Sequence, residues 1–205
     1  ELLKKLNNKS YILILVNDGS FDNTEKKLNK YNNINNIKII NKDNEGHGPT
    51  LIRGYYEAIK YNPKFVFQMD SDDQIPFDDF FKIYNSFKKE NIVSGYRKNR
   101  KDPIARLVTT FILKICILIF HRVLIKDANI PFRIMKKDFL EKNIEIVKES
   151  KIPNVLLSIL ASKKKSHTQI PVNHKERFTG IVSIRKFKLF IFCIKSFIEV
   201  FKFWS

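Results

Sequence analysis

The sequence predicts an α/β protein: a doubly wound, mostly parallel sheet closed by an amphipathic C-terminal helix. Three observations carry this. Short apolar runs of strand length alternate with segments of helical period. Strands separated by helices of about ten residues pair in parallel, because each crossover returns the chain to the same end of the sheet. The final stretch, Phe187–Trp204, is rich in Phe with Lys interspersed, the pattern of an interfacial helix or of one docked on the core.

The elements follow in order. Glu1–Leu6 is an amphipathic half-helix with no strand before it, and no leader pattern is legible. Tyr11–Val16 is a continuous apolar run, hence a buried strand, and Asn17-Asp18-Gly19-Ser20 is the loop after it. Asp22 and Glu25 have capping-box spacing and open a helix to about Tyr31. Ile37–Ile40 is the second strand. The loop Asn44-Glu45-Gly46-His47-Gly48-Pro49 leads into a helix over Thr50–Tyr61, with Pro49 near its start. Phe65–Met69 is the third strand and ends in Asp70-Ser71-Asp72-Asp73-Gln74. Pro76 starts a helix to about Lys89, and Ile92–Gly95 is a fourth strand.

Beyond Gly95 the texture changes. Arg97, Lys98, Arg100, Lys101 and Arg106 crowd one loop, and Leu107–Ile125 is apolar but carries Lys114, His121 and Arg122. Its length nearly spans a bilayer. A charge near the centre of a span costs about 2.5–3.5 kcal/mol, so a buried or membrane-facing helix is expected instead. Asp138 and Glu141 form a second capping box, Pro153–Ala161 a short apolar helix and Gln169–Val172 a late strand. This organises the chain as one domain over residues 1–186 and a helical segment over 187–205.

The 205 residues are ample for one core. A net charge of +17 admits nucleic acid, an anionic membrane surface or phosphate-bearing substrates as partners. A compositional bias to Lys, Asn and Ile raises the charge without any partner at all. Cys116 and Cys193 lie in apolar helical stretches with no CxxC, which excludes zinc and disulfide scaffolds and points to a reducing, cytosolic setting.

Three loops follow three successive strands, so in a parallel sheet they share the edge where ligands bind. Asp70 and Asp72 are two apart and can reach one hard cation, whose shell water and substrate phosphate would complete. The same residues also suit an acidic turn capping the next helix. Asp18, followed by Gly19, can accept from a base N–H while the backbone turns, or can simply form an Asx turn. Gly46 and Gly48 let backbone approach a ligand closely. Neither GxGxxG nor GxxxxGK[ST] occurs, so dinucleotide and P-loop readings lack support.

The order Val16-Asn17-Asp18-Gly19-Ser20, then Asn44-x-Gly46-x-Gly48…Gly54, then Asp70-Ser71-Asp72-x-Gln74 resembles the family 2 glycosyltransferases. In pattern it is most similar to the dolichyl- or polyprenyl-phosphate sugar synthases. Ser94-Gly95-Tyr96-Arg97 resembles that family's Gly-x-Arg loop, and Asp127-Ala128-Asn129-Ile130-Pro131-Phe132-Arg133 its Asp-x-x-x-Gly-Phe-Arg segment. His174-x-x-Arg177-x-x-Gly180 resembles its Arg-x-x-Gly element. The chain departs from the pattern at Asn17, where Asp is common, and at Pro131, where Gly is usual. The family's first strand is expected to be absent.

The resemblance implies a glycosyltransferase-A fold and a UDP- or GDP-sugar donor. By the same resemblance Val16, Asp18, Gly19, Asn44, Gly46, Gly48 and Ser71 bind the nucleotide, and Arg97 and Arg177 bind its diphosphate or the acceptor phosphate. Asp70 and Asp72, with Gln74, would hold Mg²⁺ or Mn²⁺ against the diphosphate. Asp72 and Asp127 are the implied catalytic residues, Asp127 as a base or an acceptor-positioning carboxylate. The implied acceptor is a polyprenyl phosphate at the cytosolic face of a membrane, with the protein peripheral there and no nucleic acid bound. A saccharide acceptor is the alternative enzyme reading. A sugar nucleotidyltransferase and a basic nucleic-acid-binding protein stand further off.

Overall fold

The structure, a computed structural model, describes residues 10–98, 104–175 and 186–203. Its elements run β1 (Leu13–Asp18), α1 (Thr24–Asn29), β2 (Ile37–Lys42), α2 (His47–Lys60), β3 (Phe65–Met69), α3 (Asp79–Ser86) and β4 (Ile92–Arg97), then α4 (Ile104–His121), β5 (Phe132–Lys136), α5 (Lys137–Val147), α6 (Pro153–Lys163), β6 (His167–Val172) and α7 (Lys186–Lys202).

β1 and β2 pair in parallel, with Leu13 opposite Ile37 and Asp18 opposite Lys42. The other strands form a sheet in the order β3-β5-β4-β6. The parallel character expected of the sheet holds for β1–β2 and β4–β6, and one described strand departs from it. β5 enters between β3 and β4 and runs antiparallel to both, while β4 and β6 are parallel. No strand is evident at Phe132–Lys136 in the sequence, because Arg133 interrupts a very short apolar run. The strand forms because Arg133 is satisfied internally and because Phe132, Ile134 and Met135 are all fully buried.

The period-2 alternation of strands divides the core between the two sheet faces. Ile92 and Met135 join a cluster with Ile52, Tyr55, Leu140, Leu157 and Val200, under α2, α5, α6 and α7. Their neighbours Val93 and Ile134 face an aromatic cluster built from Phe67, Phe80 and Phe132. There Phe67 meets Phe132 edge-on at 5.1 Å and Phe80 at 4.8 Å. Such tilted contacts suit the ring quadrupole.

Neither capping box forms. Asp22 Oδ1 instead accepts from Thr24 N–H at 2.9 Å, a local Asx bond, and Asn23 makes no side-chain cap. β5 runs straight into α5 with Lys136 as N-cap, so Asp138 already lies inside the helix and Glu141 pairs with Lys137. α2 begins at His47, earlier than Thr50, because Pro49 is tolerated in a first turn whose N–H groups have no helical partner.

α4 and α7 lie together. Phe120 meets Phe201 at 5.2 Å, and His121 Nε2 donates to the Val200 carbonyl at 2.9 Å. No helix among the described residues is long and apolar enough to cross a membrane.

Candidate active site

The ends of β1, β3 and β4 and the N-terminus of α2 open onto one cleft of about 810 Å³. Asp18, Gly46, Gly48, Asp70, Ser71, Asp72, Gln74, Arg97 and Asp127 all line it, as do His47 and His174. Its far wall comes from α4 and α7, through Leu113, Lys114, Ile117, Cys193, Ser196 and Phe197. Val16, Gly19 and Asn44 are not part of its lining. Val16 packs under α2, its Cγ2 at 3.4 Å from where a Cβ on Gly54 would lie. Arg177 lies outside the described residues.

Asp18 is the hub of the β1 side. Its Oδ1 accepts from Lys42 Nζ and from Glu45 N–H at 3.0 Å, and its Oδ2 accepts from Gly46 N–H at 3.0 Å. The Asp18 carbonyl accepts from Asn44 Nδ2 at 3.0 Å. Partial burial pushes the carboxyl pKa up, but the hydrogen bonds from Lys42, the Glu45 amide and Thr50 outweigh it and hold the group below its ordinary value. Lys42 was missed in the sequence, although a parallel register puts it opposite Asp18.

The glycines of these loops act differently from one another. Gly19 has φ +64°, and a Cβ there would lie 2.6 Å from Asn44 N. Gly46 has φ 92° and ψ 173°, a region open essentially to glycine alone, with nothing within 4 Å of its Cβ position. Gly48 lines the cleft and also packs tightly on its other side. Its Cβ position falls 2.6 Å from the Ser150 carbonyl oxygen and 2.7 Å from Lys151 Cα, so the close approach on that side is to the protein's own backbone.

The acidic loop is a turn and a cleft wall at once. Asp72 Oδ1 accepts from Gln74 N–H at 3.3 Å, and Asp73 adopts φ +54°. A strap after β6 crosses it: Lys175 N–H donates to the Gln74 carbonyl at 2.8 Å, and Asn173 N–H to Asp79 Oδ2 at 2.6 Å. His174 therefore reaches the cleft from a segment that the sequence alone does not bring near Asp72. The oxygen donors of Asp70, Asp72 and Gln74 suit a hard cation. Among the described residues no group of three or more His, Cys, Asp or Glu side chains could hold a metal ion, so the protein would supply few ligands and leave room for phosphate oxygens and water.

Arg97 and Asp127 are joined by two hydrogen bonds, Nε to Oδ2 at 2.7 Å and Nη2 to Oδ1 at 3.0 Å. Behind them Arg133 is wholly buried. Its five N–H groups are directed at the carbonyls of Ala128, Ile130 and Asn154 and at Ser158 Oγ, over 2.7–3.1 Å. Burial pushes this guanidinium's pKa down, while the nearby Tyr55 hydroxyl, Asp127 and Asp70 favour its charge. Arg133 thus shapes the 127–130 loop from beneath and is absent from the cleft lining. Tyr55 extends the same network, its hydroxyl 2.7 Å from Gln68 Oε1 and 2.9 Å from Asn154 Oδ1. Tyr55 and Asn154 carried no signal in the sequence beyond helical spacing.

Residues 1–146 match the family model described as Glycosyl transferase family 2. Over 149 residues the chain is 30% identical to a dolichyl-phosphate beta-glucosyltransferase of Trichomonas vaginalis, covering 65% of this chain and 44% of that one. Over 174 residues it is 25% identical to an undecaprenyl-phosphate 4-deoxy-4-formamido-L-arabinose transferase of Proteus mirabilis, covering 83% and 52%. The chain therefore spans about half the length of these two relatives. In fold it is similar to glucosyl-3-phosphoglycerate synthase of Mycobacterium tuberculosis, crystallised with Mn²⁺, UDP and phosphoglyceric acid. That match has a TM-score of 0.68 at 10% identity and covers 95% of this chain and 68% of the synthase. The fold is the glycosyltransferase-A fold, and the chain belongs to glycosyl transferase family 2.

Proposed function

We propose that this chain transfers a sugar from a nucleoside-diphosphate donor to a polyprenyl-phosphate acceptor at a membrane surface. The observation that carries the reading is the single cleft shared by Asp18, Asp70, Asp72, Arg97 and Asp127. Membership of the family, and relatives named for dolichyl- and undecaprenyl-phosphate transfer, support the reaction class and the acceptor. The Mn²⁺ and UDP of the similar crystal structure support a divalent cation and a nucleoside diphosphate.

In this reading Asp70 and Asp72 hold Mg²⁺ or Mn²⁺, with Gln74 beside them. When bound, the cation neutralises charge on the departing nucleoside diphosphate. Asp18 fixes the Asn44–Gly48 loop through the Glu45 and Gly46 amides and presents its remaining acceptor capacity to the nucleobase. Gly46 and Gly48 open α2, whose N-terminal amides favour an anion. An acceptor phosphate is already ionised and needs no strong base. Both Asp127 oxygens are engaged by Arg97, so Asp127 orients that guanidinium for phosphate, and the base role is set aside. Arg177 is assigned to phosphate with Arg97 on the resemblance alone.

A lipid acceptor is favoured over a soluble saccharide by the outward faces of α4 and α7. Val108, Phe111, Ile112, Leu118 and Ile119 on α4, and Ile194, Ile198 and Phe201 on α7, are exposed. An apolar surface of this extent marks an interaction site. Peripheral attachment through it would bring the cleft to the lipid headgroups.

The test is calorimetric titration with UDP and with GDP, each with and without Mn²⁺. It is followed by transfer of labelled sugar to polyprenyl phosphate in vesicles and to soluble saccharides. Mn²⁺-dependent binding of one nucleotide and transfer only to the lipid are expected. Binding of neither nucleotide would overturn the donor site, and transfer to saccharides alone would overturn the acceptor.

A further inference from the structure

Helix α7 contains a single acidic residue, Glu199, among apolar side chains and lysines. Its carboxylate takes three hydrogen bonds from the turn between α5 and α6. Ser150 Oγ donates to Oε2 at 2.7 Å, and Lys151 N–H donates to Oε1 at 3.1 Å and to Oε2 at 3.2 Å. The Ser150 hydroxyl in turn accepts from Ile152 N–H at 2.9 Å, which closes the turn. Hydrogen bonds to an ionised acceptor are the stronger kind.

That turn is the surface on which the first turn of α2 rests. The Ser150 carbonyl and Lys151 Cα occupy the space a side chain at position 48 would fill. No flexible side chain lies between the two backbones, so a shift of the turn cannot be absorbed by a change of rotamer. Two residues before Gly48, the Gly46 amide holds Asp18 Oδ2, and the Glu45 amide holds Oδ1. A continuous run of contacts therefore leads from α7 through the 150–151 turn and Gly48 to Asp18. The same helix supplies Cys193, Ser196 and Phe197 to the opposite wall of the cleft.

We propose that Glu199 is a positioning residue for the donor side of the cleft: it clamps the 150–151 turn against Gly48, so the Asn44–Gly48 loop is ordered only while α7 is docked. Its consequence for nucleotide affinity rests on the glycosyltransferase reading; its consequence for loop order does not. The clamp makes a helix whose outer face is apolar into a gate on nucleotide binding.

Amide hydrogen exchange of the whole chain tests this in the wild type, Glu199→Ala, Ser150→Ala and Glu199→Gln. Both alanine variants should raise exchange about tenfold at Lys151 and also at Glu45 and Gly46, while amides of β3, β4 and β5 keep their protection. Glu199→Gln retains one acceptor oxygen and should fall between. Uridine or guanosine diphosphate with Mn²⁺, whichever the wild type binds, should bind the alanine variants about tenfold more weakly. Faster exchange at Lys151 with unchanged Glu45 and Gly46 overturns the proposal, and so does no change at either place. Should Glu199→Ala loosen every strand, Ser150→Ala, which removes only a hydroxyl, decides by the same criterion. A wild type that binds neither nucleotide overturns the donor reading, while the exchange pattern still decides the clamp.

Discussion

Arg97, the last residue of β4, and Asp127, in the connection before β5, hold each other in a two-point grip with a side chain only 4% exposed on the Asp127 side. The pair is buried unequally, since the Arg97 side chain is 15% exposed. Removing the arginine strands the deeper charge. Arg97→Ala should therefore cost about 3–5 kcal/mol in urea unfolding, the range for leaving a buried partner uncompensated. Asp127→Asn keeps one acceptor oxygen and should cost less. Arg97→Lys should fall short of wild type because an ammonium cannot reproduce the two-point fork. Equal losses for Arg97→Ala and Asp127→Asn would contradict this asymmetry.

Gly46 and Gly48 are two residues apart, yet they should respond differently to added volume. Gly48→Ala puts a Cβ into the Ser150 and Lys151 backbone and should cost about 1–3 kcal/mol, rising further with Gly48→Val. At Gly46 the cost comes from backbone conformation, also about 1–3 kcal/mol, and there is open space around the Cβ position. Gly46→Ala and Gly46→Ser should therefore melt at nearly the same temperature. A size series that behaves alike at both positions would refute the distinction.

These glycines mark where the sequence was legible. Positions 17–20, 44–48 and 70–74 follow apolar runs, and local pattern alone brings them to one edge; all three loops contribute to the cleft. What the pattern could not supply is long-range. Nothing local to Gly48 reveals that Ser150 packs against it. β5 is hidden because the burial of Arg133 depends on carbonyls at positions 128, 130 and 154. The capping boxes at Asp22 and Asp138 failed for a related reason: the spacing was correct, but an Asx bond in one case and a strand running straight into its helix in the other moved the N-cap.

His167 makes stability depend on acid. Its Nε2 lies 2.9 Å from Ser94 Oγ and its Nδ1 2.9 Å from Ser162 Oγ. Burial, and then the Arg133 charge, push its pKa down to about 3. An unfolded histidine titrates near ~6.5, so the unfolded chain takes up the proton first. Stability from this group is complete above that value and is lost as pH falls toward about 3. Burial shifts His121 in the same direction. The urea midpoint should fall from pH 7 to pH 5, and His167→Gln, which offers one donor and one acceptor without titrating, should flatten that slope. An identical slope in the variant would remove His167 as the cause.

Asp72 has two separable roles. Its Oδ1 supports the turn through Gln74 N–H, and its charge is proposed for the cation. Asp72→Asn keeps the oxygen and loses the charge, so the melting temperature should hold. Losing even the supporting partner of a metal ligand typically costs ~10–100-fold, and the loss of Mn²⁺-dependent nucleotide affinity here should be at least that. Affinity unchanged in Asp72→Asn would remove this carboxylate from the metal site.

The outward face of α4 gives the last prediction. Phe111 and Ile119 are 62% and 65% exposed, while Ile117 on the same helix is fully buried. The two exposed side chains therefore contribute little to the core, and charging them should leave the melting temperature unchanged. If the face lies in a lipid interface, each large apolar side chain buried there is worth about 1.5–3 kcal/mol. Phe111→Glu and Ile119→Glu should each weaken partitioning to vesicles containing anionic lipid by at least about tenfold. Salt should weaken wild-type partitioning only in part, because the apolar contribution is not screened. A wild type that sediments without vesicles and elutes as a dimer, with both variants monomeric, would assign the face to a second copy of the chain instead. Unaltered partitioning in both variants would remove α4 from the membrane contact, while the donor cleft, tested separately through Asp72, would stand.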